Sequence, residues 1–245
     1  MKQQIIVNDL GRIPYQEAWD LQEKLLKENT DAKAAARAEG EGAVPQTRHH
    51  LLFCEHPPVY TLGKSGHSEN LLVSDEELAA KGIQYVQTNR GGDITFHGAD
   101  QIVGYPIIDL ERFYADIGRY LRNLEEVIIR TIGDYGLTGE RSAGETGVWL
   151  EPAVPGRARK ICAMGVRCSR WVTMHGFALN VNTDLSYFNN IIPCGIQDKS
   201  VTSMQKETGR TLPMEEVRAR IVHHFADIFG AEMVEGALFA AETGR

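Results

Sequence analysis

Cys194 stands between Pro193 and Gly195 in the run Asn189-Asn-Ile-Ile-Pro-Cys-Gly-Ile196. A thiol displayed on a rigid turn with small neighbours leaves room for an incoming carbonyl. The thiolate is the reactive form, so such a site needs a base or a cation beside the sulfur. By residue type the candidates are Lys160, His97 and His175. Lys160 heads the otherwise apolar run Lys160-Ile-Cys-Ala-Met-Gly165, where partial burial would favour the neutral amine and make it a base. His97 closes Arg90-Gly-Gly-Asp-Ile-Thr-Phe-His97, whose adjacent glycines allow close backbone approach or a positive φ. Each feature taken alone has an ordinary counterpart: an incidental turn cysteine, a strand-end lysine in water, a β-turn with a surface arginine.

Other chemistries find no support. The four cysteines, Cys54, Cys162, Cys168 and Cys194, form no C-x-x-C pair, and Cys162 and Cys168 with His175 fit no zinc spacing. They read as free thiols. His223 and His224 belong to the last helix. There is no G-x-x-x-x-G-K-[ST] phosphate loop and no G-x-S-x-G elbow. Lysine and arginine number 26 against 33 acidic residues, a net charge of -7 with no basic run, which argues against a nucleic-acid binder. No apolar stretch is long enough for a membrane span, and the N-terminus lacks the apolar core of a signal peptide. A cytoplasmic protein without membrane attachment is expected.

The elements that must position these residues follow from periodicity. A short strand is expected at Gln4–Val7 and a helix over Tyr15–Asn29, with Ala18, Leu21 and Leu25 on one face. The first half of Asp31–Arg48 can extend that helix. The rest, broken by Gly40, Gly42 and Pro45, reads as exposed loop, so 31–48 is expected to be a flexible insertion. Strands are expected at His49–His56, at Val59–Gly63, over Ile83–Thr88, twice within Asp93–Ile108, and at Gly147–Leu150, Lys160–Arg167 and Trp171–Val181. A capping box at Ser74–Glu77 starts a short helix. Asp116–Tyr135 is the clearest amphipathic helix, and Pro213 opens a final one through Phe229. The irregular mixture of strands and helices favours an α+β fold built on a mixed or largely antiparallel sheet, as a single catalytic domain over 1–245.

Arg90-Gly-Gly-Asp-Ile-Thr-Phe-His-Gly-Ala-Asp-Gln101, Tyr105-Pro106, Lys160-Ile-Cys-Ala-Met-Gly165, His175-Gly-Phe-Ala-Leu-Asn180 and Pro193-Cys194-Gly195 together resemble the octanoyltransferases of lipoate biosynthesis, the lipoyl(octanoyl) transferases. Five motifs in order are far more specific than any one of them. One departure is plain: where that family has Pro-Gly after His-Gly, this chain has Ala99-Asp100.

The resemblance implies a central mixed β-sheet flanked by helices, like the lipoate ligases and biotin protein ligases. It implies an acyltransferase with Cys194 as acyl-accepting nucleophile and Lys160 as the group that activates it. Around the acyl chain and thioester it places Arg90, Gly91, Gly92, Asp93, Ile94, Thr95, Phe96, His97, Ala163, Met164, Gly165, Gly176, Phe177 and Ala178. It implies octanoyl-acyl carrier protein as donor and the lipoyl domains of 2-oxoacid dehydrogenases and the glycine-cleavage H protein as acceptors. A monomer needing neither metal nor cofactor is expected. Arg157, Arg159, Arg167 and Arg170 are candidates for a basic surface that steers acidic partners. The alternatives are an ATP-dependent lipoate–protein ligase, a cysteine thioesterase and a non-catalytic carrier-binding module.

Overall fold

The computed structural model describes residues 2–192 and 199–236. In chain order the elements are β1 (Gln4–Arg12), α1 (Tyr15–Glu39), β2 (His49–Glu55), β3 (Val59–Leu62), α2 (Asp75–Ala80), β4 (Gln84–Gln87), β5 (Ile94–His97) and β6 (Gln101–Ile107). There follow α3 (Ile117–Gly133), β7 (Glu140–Ser142), β8 (Glu145–Leu150), β9 (Arg159–Ser169), β10 (Val172–Asn180), β11 (Ser200–Val201), α4 (Met204–Thr208), α5 (Met214–Phe229) and β12 (Glu232–Glu235). The fold is α+β, as expected. A large mixed sheet runs β12-β1-β2-β6-β10-β9-β8-β7, with β11 joined in parallel to β9. β1 is parallel to both its neighbours, and the path from β2 to β7 is antiparallel. A three-stranded sheet, β4-β3-β5, stands apart.

Alternation decides which face each strand buries. On β2, Leu51 and Phe53 point to the core formed with α3 and α5, and Leu52 and Cys54 point to α1. On β10, Phe177 and Leu179 take the first side, and Val172, Met174 and Ala178 the second. α3 starts at Asp116, whose Oδ1 accepts from the Arg119 amide at 2.9 Å, a side-chain cap of the kind that fixes helix starts. Its Tyr120, Leu124, Val127, Ile128 and Ile132 are all fully buried, on one stripe at helical spacing. α2 opens with the expected capping box between Ser74 and Glu77.

Residues 31–39 continue α1, the extension that the first half of 31–48 allows, and what needs correcting is their inclusion in an exposed insertion. Lys33 is 2% exposed, and its ammonium donates to Asp109 at 2.7 Å and to the Arg170 carbonyl at 2.8 Å. It also pairs with Glu111 at 2.8 Å. Thr47 donates to the other Asp109 oxygen at 3.1 Å. At the same end Asn29 exchanges two hydrogen bonds with the backbone of Arg48. The buried face of this last part of the helix is polar, so hydrophobic periodicity does not reveal it.

Because Asp109 is fully buried, removing its partner strands a charge in a low-dielectric site, at a cost of about 3–5 kcal/mol. Lys33→Ala should therefore lower the denaturant midpoint by a stability loss of that size. A loss of under about 1 kcal/mol, the value of an exposed pair, would mean that the pair is not buried in solution.

Candidate active site

A cavity of about 740 Å³ opens between the Arg90–Ile94 turn, the β9–β10 hairpin and one face of β6. It exists because four backbone segments pass unusually close to one another at glycines. Gly165 and Gly176 face each other across β9 and β10. A Cβ on Gly176 would sit 2.1 Å from the Gly104 carbonyl oxygen on β6, and one on Gly165 2.6 Å from the Gly91 oxygen. Both spacings are shorter than any side chain tolerates. The Gly91 amide in turn donates to the Val166 carbonyl at 3.0 Å, and Gly92 has φ +88. The turn is thus laid directly on the hairpin, and the residues flanking the glycines become the cavity wall.

Arg90 is no surface residue: it is 8% exposed, and its guanidinium donates to the Thr61 carbonyl at 2.6 Å, the Thr61 hydroxyl at 2.9 Å and the Gly91 carbonyl at 3.0 Å. Asp93 accepts from its neighbour Ile94 N at 2.7 Å and from the Asn70 amide at 2.7 Å, fastening the Ser65–Asn70 stretch to the cavity rim. His97 bonds through Nδ1 to Gln101 Oε1 at 2.9 Å, so Nδ1–H is the donor, and Thr61 lies 3.3 Å from Nε2. Gln101 spends its amide on the Phe96 carbonyl and on Asn180, whose own amide reaches the Thr202 carbonyl. His175 meets the Asn89 side-chain oxygen at 2.6 Å.

Burial first, then the charges of His56 and Arg90, push the His97 imidazole down to about 3. Burial, with Arg90 and Arg167, pushes His175 to about 3 as well. Both rings are neutral near pH 7 and are weak proton acceptors. Lys160 lines the same cavity. It lies opposite Trp149 across β8 and β9, beside a register shift that passes over Ile161. The bulge lets Ile161 and Cys162 both enter the core, while the Lys160 ammonium rests 4.5 Å from the Trp149 ring centroid. Cys194 lies outside the described residues.

Of the residues expected around the acyl chain, Arg90–Thr95, His97, Ala163–Gly165 and Gly176–Ala178 line the cavity. Phe96 does not. It packs with Tyr60, Phe188 and the rest of the cluster beneath the three-stranded sheet and stacks on Tyr187 at 4.5 Å between ring centroids. Sequence reasoning gave no role to Tyr15, Gln101, Asn180 and Glu145, which also line the cavity; Gln101 and Asn180 stand inside motifs it had already singled out. The expected basic surface is largely neutralised. Arg157 pairs with Glu151, Arg159 with Glu151 and Glu207, and Arg167 with Glu23. Cys162 is buried in the core, where desolvation pushes its thiol upward, and Cys168 is exposed. Among the described residues no group of three or more His, Cys, Asp or Glu is placed to hold a metal ion, and no helix is long and apolar enough to cross a membrane.

The departure at Ala99-Asp100 leaves the turn intact. Asp100 adopts φ +58, the left-handed conformation that a glycine supplies freely and aspartate tolerates better than most residues. Its amide donates to Glu55 at 2.7 Å, and its carbonyl accepts from the Asn182 amide and the Thr183 hydroxyl.

Residues 14–226 match the family described as the lipoyl protein ligase A/B catalytic domain. The chain belongs to that family. Its relatives include the octanoyltransferase of Christiangramia forsetii, 57% identical over 95% of this chain and 99% of that protein. The octanoyltransferase of Flavobacterium johnsoniae is 56% identical over 96% of this chain and 100% of that protein. In fold the chain is similar to the bipartite lipoate protein ligase of Thermoplasma acidophilum, with a TM-score of 0.67 at 16% identity, covering 96% of this chain and 87% of that one. Family membership agrees with the resemblance drawn from the five motifs.

Two outcomes follow from this geometry. Gly165→Ala must push the Gly91 carbonyl aside, so it should enlarge or deform the cavity and reduce turnover by at least about tenfold, read as kcat/KM with folding checked by circular dichroism. Turnover within about twofold of the parent would show that the turn yields without consequence. The second concerns pH. His49 and His56 are held down to about 4 by burial, and His97 and His175 to about 3. In the unfolded chain histidine titrates near 6.5. Below about 6.5 the unfolded state therefore binds protons that the native state refuses, and stability falls as pH falls. Denaturation midpoints should decline steadily from pH about 6.5 to about 4, with proton uptake on unfolding approaching about four; a flat profile would contradict the burial of these rings.

Proposed function

We propose that this chain transfers an octanoyl group from the thioester of octanoyl-acyl carrier protein to a lysine of a lipoyl domain, with Cys194 as nucleophile and Lys160 as its base. The observation that carries the reading is the apolar-walled cavity with Lys160 on its wall, in a chain 57% identical to an octanoyltransferase. The acceptors on this reading are the lipoyl domains of 2-oxoacid dehydrogenases and the glycine-cleavage H protein, and the enzyme works as a cytoplasmic monomer.

The chemistry has two steps. The Lys160 amine takes the Cys194 proton, and the thiolate attacks the octanoyl carbonyl. The bond to the carrier sulfur breaks, and the leaving thiolate takes a proton back from the Lys160 ammonium. One thioester replaces another, so this step is nearly balanced. The neutral acceptor amine then attacks acyl-Cys194, the C–S bond breaks, an amide forms, and the proton the amine loses passes to the departing Cys194 thiolate. Thioester to amide is downhill, so no nucleotide is needed. Arg90–Thr95, His97, Ala163–Gly165 and Gly176–Ala178 would flank the acyl chain, with Phe96 supporting β5 from behind. A cavity of about 740 Å³ suits a small ligand. Burying an eight-carbon chain offers on the order of 5 kcal/mol at about 0.8 kcal/mol per methylene, enough to make chain length count. Main-chain amides of the glycine-rich turn are suited to hold a tetrahedral oxyanion.

The test is an intact mass of the protein mixed with octanoyl-acyl carrier protein, without nucleotide or acceptor. An added octanoyl group, absent from Cys194→Ser and formed at least about a hundredfold more slowly in Lys160→Arg, is the expected result. No adduct, with ATP and free octanoate or lipoate labelling a lipoyl domain instead, would make the chain an ATP-dependent ligase. Release of free octanoate without transfer would make it a thioesterase.

A further inference from the structure

Beside Lys160 lies a cluster with no part in the mechanism above. Lys199 pairs with the Glu145 carboxylate, which also accepts from the Ser142 hydroxyl. The Lys199 ammonium stands 4.8 Å from the centroid of the Trp149 ring, the same ring that carries Lys160 at 4.5 Å. Two ammonium groups thus lie within 5 Å of one buried indole. Glu145 sits on the cavity wall with Lys160. The pair is only partly exposed, at 25% and 19% of the two side chains. Directly after Lys199, β11 joins β9 with Val201 opposite Lys160, and the Thr202 amide donates to the Lys160 carbonyl at 2.9 Å. The backbone and the charges of this segment therefore converge on one residue.

An isolated lysine at a strand end needs none of this. Like charges placed close together disfavour each other's charged form, and a carboxylate favours it. Glu145 responds to both cations: burial works to raise its carboxyl, and the bonds from Lys199 and Ser142 with the charges of Lys199 and Lys160 outweigh burial and hold it low. Among the described residues, two further charged groups near Lys160 are held by other partners. From α3, Glu125 is held by Arg122 and Arg141. On β9 itself, Arg159 is held by Glu151 and Glu207. Lys199 shares the Trp149 ring with Lys160, and its partner Glu145 shares the cavity wall with Lys160.

We propose that Lys199 and Glu145 are positioning residues for Lys160: Lys199, held in place by Glu145, packs on the Trp149 ring that lies against the Lys160 ammonium, and the opposite charges of the two set the pH at which Lys160 accepts the nucleophile's proton. This rests on Lys160 being the base. Removing the neighbouring cation makes the Lys160 ammonium easier to keep, so the amine appears only at higher pH. Removing the carboxylate acts in the opposite sense.

The experiment follows the rate of octanoyl-enzyme formation from octanoyl-acyl carrier protein across a pH series. It compares the parent with Lys199→Gln, Glu145→Gln, the double variant, Lys199→Arg and Lys160→Arg, with folding checked by unfolding midpoint. The acid limb should move up in Lys199→Gln and down in Glu145→Gln, by about 0.5–1 pH unit each. It should return towards the parent in the double variant and be kept in Lys199→Arg. A purely structural role would lower rates without opposed shifts. Limbs that stay still, or that move the same way in both single variants, overturn the proposal; should a glutamine variant fail to fold, a displaced limb in Lys199→Arg, which keeps the charge, does so as well. If those limbs stay still while Lys160→Arg is inactive, only this proposal fails. If Lys160→Arg turns over like the parent, the base assignment fails and this proposal with it.

Discussion

Everything at the candidate site depends on backbones touching where side chains are missing. Gly104, Gly176, Gly165 and Gly91 lie one against the next across β6, β10, β9 and the turn before β5. A sheet normally keeps a loop off its face by the height of its side chains. Here the loop comes down to hydrogen-bond distance, Gly91 N to Val166 O at 3.0 Å, and a cavity is left beside the contact. The same contact buries Arg90, whose guanidinium must then find carbonyl and hydroxyl partners on β3. That arginine helps keep His97 and His175 neutral. Cavity, buried cation and uncharged imidazoles are successive results of one close approach.

The polar groups behind the cavity form a connected set. Arg90, Thr61, His97, Gln101, Asn180 and the Thr202 carbonyl follow one another by hydrogen bonds. The set ends at the segment that also flanks Lys160. Buried polar groups are tolerable when each has a partner, and this chain of partners links the three-stranded sheet to the large one. The cavity is therefore walled by apolar surface and backed by a stiff polar frame, a combination suited to holding a greasy chain in one register.

Much of this was legible in the sequence where packing is apolar. β2 announces itself by six consecutive buried residues, and α3 by its stripe from Tyr120 to Ile132. The continuation of α1 past Asn29 could be read, but its burial could not, because Asn29 and Lys33 have partners, Arg48 and Asp109, that lie 19 and 76 positions away. The short strands β7, β11 and β12 carry no pattern of their own and exist because a neighbour pairs with them. The motifs marked segments that line one cavity but not the direction of each side chain. Phe96 stands among cavity residues in the sequence and faces away from the cavity in the fold. Arg90 could equally have been a surface residue, since its partner Thr61 is 29 positions distant. Lys199 and Glu145 come from separate stretches with no motif, and only the fold brings them to one ring.

Asp100 carries a consequence for how such families are delimited. The turn after His97 asks for a left-handed residue and for a carbonyl aimed at Asn182 and Thr183, and it receives both from an aspartate. What the turn requires at this position is a dihedral angle rather than a particular side chain. A pattern written in residue types registers a departure at this one position; the same pattern written in backbone angles would register none.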